Sequence, residues 1–306
     1  MPALALDYRP RTLAEVRGNE TTVKALEAVL ARKPENIPHT MLFCGPSGCG
    51  KTTLARIVAK ALGCNGSDFN ELDIADFRGI DTAREIRRNM VYRPMEGRCR
   101  VYLMDECHKL TGDAQEAMLK AFEDTPDHVY FLLATTDPAK LKTTVRNRCT
   151  TFEVSSLSTR EMRALLEEVL DQERVDVPAA ALDAILDNCM GSPRNALQLL
   201  EKIIDMDPAD MAAAVEQAAR DQSQVIDLCR ALIGKQKWVA VAKILKGLEE
   251  QEPESVRHAV LGYCAAILLK EDQPQAFLVA DSFRKPFYES GGKAGLVLAC
   301  YEALNG

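Results

Sequence analysis

The sequence predicts an α/β protein: a parallel sheet sandwiched by helices, then a small helical unit, then an all-helical remainder. Three observations predict it. First, Gly45-Pro46-Ser47-Gly48-Cys49-Gly50-Lys51-Thr52 fits G-x-x-x-x-G-K-[ST] at every fixed position and lies between an apolar run and a helix-like segment. Second, short apolar runs and helical patterns alternate through the first half, as in a parallel sheet joined by helical crossovers. Third, strand signals stop after about Ser155 and only helical periodicity continues.

In chain order, the strand-like runs are Met41–Cys44, Glu71–Ile74, Val101–Met104, Val129–Ala134 and Thr151–Val154. The helical patterns between them are Thr22–Ala31, Thr53–Leu62, Thr82–Tyr92 and Ala114–Glu123. Met162, Leu165, Leu166 and Val169 then follow i, i+3, i+4, i+7, as do Leu182, Ile185, Leu186 and Cys189. Ser158-Thr159-Arg160-Glu161 reads as a capping start for the first of these helices. A third helix, Pro193 to Ile204, completes the small unit, and Asp205-Met206-Asp207-Pro208 reads as a break. The expected domains are therefore 1–155, 156–207 and 208–306. Apolar stripes such as Trp238/Val241/Ala242/Leu245 continue through the last third. No chemistry is read there, so a structural or oligomerisation role is expected.

At 306 residues the chain suits about two or three domains. No apolar run approaches the ~20 residues that span a membrane, and the first residues lack the basic start and apolar core of a signal peptide. A cytoplasmic protein is expected, with no membrane partner. The ten cysteines are scattered singly without a C-x-x-C pair, and only four histidines are present. Reduced thiols are the expectation, and a zinc site is not. A net charge of −7 excludes a uniformly basic surface but not a local one. Between Phe77 and Arg100 seven arginines face three acids, which reads equally as a solvated helix face or an anion-binding face.

The Gly-rich loop can converge backbone N–H groups on a polyphosphate at a helix N-terminus. Lys51 would reach the β- and γ-phosphates and the Thr52 hydroxyl would ligate Mg²⁺. The run Arg100-Val101-Tyr102-Leu103-Met104-Asp105-Glu106 places two carboxylates at the sheet's C-terminal edge. Asp105 would hold Mg²⁺ and Glu106 would polarise the attacking water. His108 reads as a helix-start residue. Thr135-Thr136-Asp137-Pro138 ends the next strand, where a hydroxyl could position that water or serve only the turn. In Gly191-Ser192-Pro193-Arg194 an arginine occupies a helix's first turn, where the dipole favours anions, so another use such as a phosphate contact is expected.

Taken in order, these motifs resemble the AAA+ ATPases, and more narrowly the clamp-loader ATPase subunits of DNA replication. Tyr8-Arg9-Pro10 with Thr12-Leu13, Glu15-Val16 and Gly18 resembles that family's N-terminal signature. Phe131-Leu132-Leu133-Ala134-Thr135-Thr136-Asp137-Pro138-Ala139-Lys140-Leu141 is similar to the bacterial tau/gamma subunit, and Asp76-Phe77-Arg78-Gly79-Ile80-Asp81 to eukaryotic and archaeal small subunits. The resemblance covers roughly residues 6–205. It implies an AAA+ ATPase domain, a helical lid and an all-α collar. It implies ATP held by Gly45, Pro46, Ser47, Gly48, Cys49, Gly50, Lys51, Thr52 and Thr53, with Arg9, Val16 and Arg194. Lys51, Asp105 and Glu106 would act in catalysis, with Thr136 at the sensor-1 position. Arg148 of Val145-Arg146-Asn147-Arg148-Cys149 would be an arginine finger acting on a neighbouring subunit. The implied partners are a sliding clamp, a primed double-strand/single-strand DNA junction and other loader subunits, in a pentamer. Arg78, Arg84, Arg87 and Arg88 with Lys109, and Lys120 beyond them, become candidate phosphate-backbone contacts.

Two departures stand out. Asn147 replaces the serine of the Ser-Arg-Cys motif, and the four-cysteine zinc insertion of bacterial tau/gamma is absent between Cys64 and Asn70. A minimal loader of phage, archaeal-like or divergent bacterial origin is expected, without the long tail by which bacterial tau contacts polymerase and helicase. Two other functions stay open: a branch-migration helicase, or a non-hydrolysing scaffold subunit. Intact Lys51, Thr52, Asp105 and Glu106 count against the second.

Overall fold

A computed structural model of the chain describes residues 4–74, 79–248, 251, 253–269, 273–287 and 292–305. The chain divides into two compact units, Met1–Ala212 and Ala213–Gly306. In the first, α1 (Leu4–Asp7) and α2 (Glu20–Leu30) precede β1 (Thr40–Cys44) and α3 (Lys51–Ala61). Then come β2 (Phe69–Asp73), α4 (Ile80–Asn89), β3 (Arg100–Asp105) and α5 (Gly112–Glu123). The sheet is completed by β4 (Val129–Thr135), the short α6 (Thr143–Arg146) and β5 (Thr150–Glu153). Every sequence-predicted strand and helix of this unit forms, with ends displaced by up to three residues.

The five strands are ordered β2-β3-β4-β1-β5 and every pairing is parallel. Such a sheet must be covered on both faces, and the side chains divide accordingly with a period of two. Met41 and Phe43 of β1, Val101 and Leu103 of β3, and Tyr130 and Leu132 of β4 pack with Leu26, Leu54, Ala55 and Val58 from α2 and α3. Leu42, Tyr102, Met104, Phe131 and Leu133 point the other way, onto Ile86 of α4 and Ala114, Met118 and Phe122 of α5. Each fully buried large side chain contributes about 1.5–3 kcal/mol by burial. The edge strand β2 is mostly polar, which discourages pairing with another chain.

Register fixes what meets at the carboxyl edge. Cys44 stands level with Thr135, and Met104 with Leu133. The loop after β1, Asp105 at the end of β3 and the threonines ending β4 therefore share one rim, where ligands bind in open parallel sheets.

Three helices finish this unit: α7 (Thr159–Glu173), α8 (Ala179–Asn188) and α9 (Pro193–Ile203). The capping box at α7 is present: Glu161 N–H donates to Ser158 Oγ at 3.3 Å and Ser158 N–H to Glu161 Oε2 at 2.8 Å, worth about 1 kcal/mol. Ser192 caps α9 through the Asn195 N–H, and Pro193 occupies its first turn.

The second unit is helical. It takes in the greater part of α10 (Pro208–Ile233), then α11 (Trp238–Gly247), α12 (Pro253–Leu268), α13 (Pro274–Ser282) and α14 (Lys293–Asn305). Leu228, Leu232, Val241, Val256, Val260, Phe283 and Cys300 are among its core side chains. Among the described residues no helix is long and apolar enough to cross a membrane.

Candidate functional site

The Gly-rich loop turns sharply from β1 into α3, and its glycines are sterically required. A Cβ on Gly45 would collide with the Val154 carbonyl oxygen. Gly48 has φ +74°, and a Cβ there would strike Ser192 Oγ at the start of α9. The loop is thus packed against the helical unit, and its N–H groups lead into the N-terminus of α3.

Behind the loop the two sequence motifs meet. Thr52 Oγ1 donates to Asp105 Oδ2 at 2.9 Å, while Asp105 Oδ1 accepts the Glu106 N–H at 2.9 Å. Lys51 is buried, and its Nζ donates to the Pro46 carbonyl at 2.7 Å. Burial lowers the pKa of this ammonium, opposed by Glu106 and Asp105 and reinforced by Arg194. A hydroxyl beside a carboxylate is a hard-oxygen pair that suits Mg²⁺, which takes one or two protein ligands and completes its shell with water and phosphate oxygens.

Glu106 has φ +50°, unusual for a residue with a side chain. Its Oε2 accepts from Thr136 Oγ1 at 3.3 Å and lies 3.2 Å from His108 Nδ1. His108 sits at the start of a 3₁₀ helix and not of α5. Residues Cys107–Lys109 form a single 3₁₀ turn, and α5 begins later, capped by Thr111. The imidazole is buried, with Nδ1 3.0 Å from Thr135 Oγ1, and burial lowers its pKa against the pull of Glu106.

Beside the loop lies a cavity of about 360 Å³. Tyr8, Arg9, Pro10 and Val16 form one wall, Gly48 to Gly50 with Thr53 the floor, and Leu165, Val169, Arg194 and Leu197 the far wall. Two polar contacts join the N-terminal segment to α7. Tyr8 donates its hydroxyl to Glu173 at 2.6 Å, and Arg17 pairs with Glu168. Burial and Glu173 together push the Tyr8 phenol up to about 12. The arrangement suits a ligand with an apolar, flat head and a polyphosphate tail.

The sequence-predicted residues Arg9, Val16, Gly48, Cys49, Gly50, Thr53 and Arg194 all line this cavity. Gly45, Pro46, Ser47, Lys51 and Thr52 belong to the adjoining loop and helix start. Arg148 does not reach the cavity: it pairs with Glu123 at the end of α5 and donates to the Thr144 carbonyl at 2.9 Å. Arg84, Arg87 and Arg88 are exposed on α4, Lys109 is half-buried, Lys120 is exposed on α5, and Arg78 lies outside the described residues. Sequence reasoning missed the Glu106–His108 contact and the Tyr8 and Arg17 links. His108 falls two residues past Glu106, the only local signal available, and the links join segments more than 150 residues apart.

This fold, a parallel sheet with a Gly-rich loop at its carboxyl edge and a helical unit packed against that loop, recurs among proteins of known structure. Among solved structures, a RuvB variant of Thermotoga maritima matches with a TM-score of 0.59 at 24% identity, over 72% of this chain and 78% of that one. The Thermotoga maritima RuvB Holliday junction branch migration motor matches at 0.54 and 24%, over 85% and 80%. At such identity the likeness is one of fold.

Sequence comparison is narrower. The profile of a family described as DNA polymerase III, delta subunit matches residues 72–158. DNA polymerase III subunit gamma/tau of Mycobacterium tuberculosis is 37% identical over 218 residues, 64% of this chain and 37% of that protein. Subunit tau of Escherichia coli is 36% identical over 215 residues, 63% and 33%. Subunit gamma of Buchnera aphidicola is 35% identical over 215 residues, 63% and 59%. About two thirds of the chain thus resembles gamma and tau subunits of DNA polymerase III, and the chain spans between a third and three fifths of these relatives' lengths.

Proposed function

We propose that this chain is an ATP-hydrolysing subunit of a sliding-clamp loader, opening a ring clamp and placing it on primed template DNA in the cytoplasm. The observation that carries the reading is the Thr52–Asp105 hydrogen bond beneath an intact Gly-rich loop, in a chain similar to gamma/tau subunits. The triphosphate lies along the loop N–H groups and the α3 N-terminus, with the base in the adjoining cavity. Lys51, released from the Pro46 carbonyl, neutralises the β- and γ-phosphates. Thr52 and Asp105 would hold Mg²⁺, which supplies charge neutralisation on the phosphate oxygens. Glu106 takes a proton from the attacking water at its carboxylate, and Thr136 fixes that carboxylate's orientation. Arg194 brings a cation to the phosphates from α9, so that the helical unit responds to nucleotide. Arg148 completes a neighbouring subunit's site, in a pentameric assembly.

A second reading, a non-hydrolysing subunit, draws on the delta-subunit profile match over 72–158. One measurement separates them: ATPase rate of the assembled protein with and without primed DNA and candidate ring clamps. Stimulation that needs both is expected. Hydrolysis indifferent to any clamp would refute clamp loading, and absence of hydrolysis with retained ATP binding would favour the scaffold. Glu106→Gln is expected to keep ATP affinity within about twofold while lowering kcat by 10² or more.

A further inference from the structure

We propose that His108 is a positioning residue that, with Thr136, braces the Glu106 carboxylate against the tip of β4; this rests on the hydrolytic reading above. His108 Nδ1 lies 3.2 Å from Glu106 Oε2, close enough that a proton on this nitrogen would sit between the carboxylate and the tip of β4. The same nitrogen is 3.0 Å from Thr135 Oγ1, and that hydroxyl oxygen also accepts the Asp137 N–H at 3.0 Å. Both contacts are made at Nδ1, so one edge of the imidazole meets the strand end and the Glu106 carboxylate together. Its side chain is only 5% exposed, so it is held by packing and is poorly placed to exchange protons itself. Glu106 also needs a brace. Its positive φ of 50° puts the side chain on a strained backbone turn. From there the Thr136 hydroxyl, donating at 3.3 Å, and His108 Nδ1, 3.2 Å away, both bear on Oε2. Misplacing a general base by about 1 Å can cost 10²-fold in rate without touching ground-state binding.

The test compares three substitutions in the full chain, assembled as for the ATPase assay, measuring kcat for ATP hydrolysis, Kd for a fluorescent ATP analogue and thermal midpoint. His108→Asn keeps an amide donor near the Nδ1 position, His108→Gln moves it towards Nε2, and His108→Ala removes it. His108→Ala and His108→Gln are expected to lower kcat about tenfold or more with Kd within about threefold, and His108→Asn to recover most of the rate. Wild-type kcat in His108→Ala, equal rates in the Asn and Gln variants, or parallel losses of kcat, Kd and thermal midpoint would each overturn the positioning role. A wild type that binds ATP and never hydrolyses it would overturn the hydrolytic reading and this inference together. Hydrolysing wild type with an unimpaired alanine variant overturns only the inference.

Discussion

Asp68 shows how much one buried carboxylate can organise. It is fully buried and accepts the N–H groups of Met95, Glu96 and Gly97 at 2.7–2.9 Å, and it pairs with Arg100 at 3.3 Å. Burial alone would raise its pKa, but these donors outweigh burial and hold it at about 2. A depressed folded pKa means that its contribution is complete above the unfolded value of about 3.9. That contribution is lost as pH falls from about 4 towards 2. Asp68→Asn is therefore expected to lower stability at pH 7 by roughly 2–4 kcal/mol and to flatten the acid limb between pH 4 and 2, read by denaturant titration across pH. The sequence shows this residue only as part of Asn65-Gly66-Ser67-Asp68, an ordinary turn. Its donors lie 27 to 32 residues away, beyond any local pattern. Thr52 and Asp105 were legible because each sits in a contiguous motif, whereas the His108 contact depends on a backbone turn that no periodicity encodes.

At the scale of elements, periodicity succeeded where one physical period dominated. The buried strands are continuous apolar runs and the helices keep a stripe, so their existence was legible and only their ends moved. The cavity walls were less so, because Leu165 and Val169 read as ordinary core positions of α7, yet these two also line the cavity. On α4, Ala83 and Ile86 are buried while Arg84, Arg87 and Arg88 face solvent. Arg84 pairs with Asp81 at 3.1 Å, and Arg87 and Arg88 stand in the last turn, where cations also favour the helix dipole. Dipole compensation alone predicts no effect on DNA. As phosphate contacts, Arg87→Ala with Arg88→Ala should weaken primed-DNA binding uniformly across sequences. The slope of log K against log salt should fall by about one for each arginine, read by fluorescence anisotropy. An unchanged slope would assign them to the helix alone.

For the whole molecule, the placement of Arg148 matters most. It is held by Glu123 and Thr144 and stays away from its own chain's cavity. If it serves a neighbour, Arg148→Ala should bind ATP normally while turnover of the assembly falls by roughly 10³-fold or more. Mixing Arg148→Ala chains with Lys51→Ala chains should restore part of that turnover, because some interfaces then pair an intact loop with an intact arginine. No restoration, or normal turnover of the Arg148→Ala assembly, would refute action in trans. Nothing in the sequence distinguishes an arginine used by its own chain from one used by another.

The strand order also constrains how the chain is made. β1, which carries the phosphate loop, pairs with β4 and β5 and not with β2 or β3. On a ribosome adding about 5–20 residues per second, Thr40–Cys44 emerges long before Val129–Thr135 and Thr150–Glu153. For several seconds the loop's strand has no neighbour on either side. Until residue 135 has emerged the nascent chain holds an apolar segment with both edges open, and one edge stays open until residue 153 has followed.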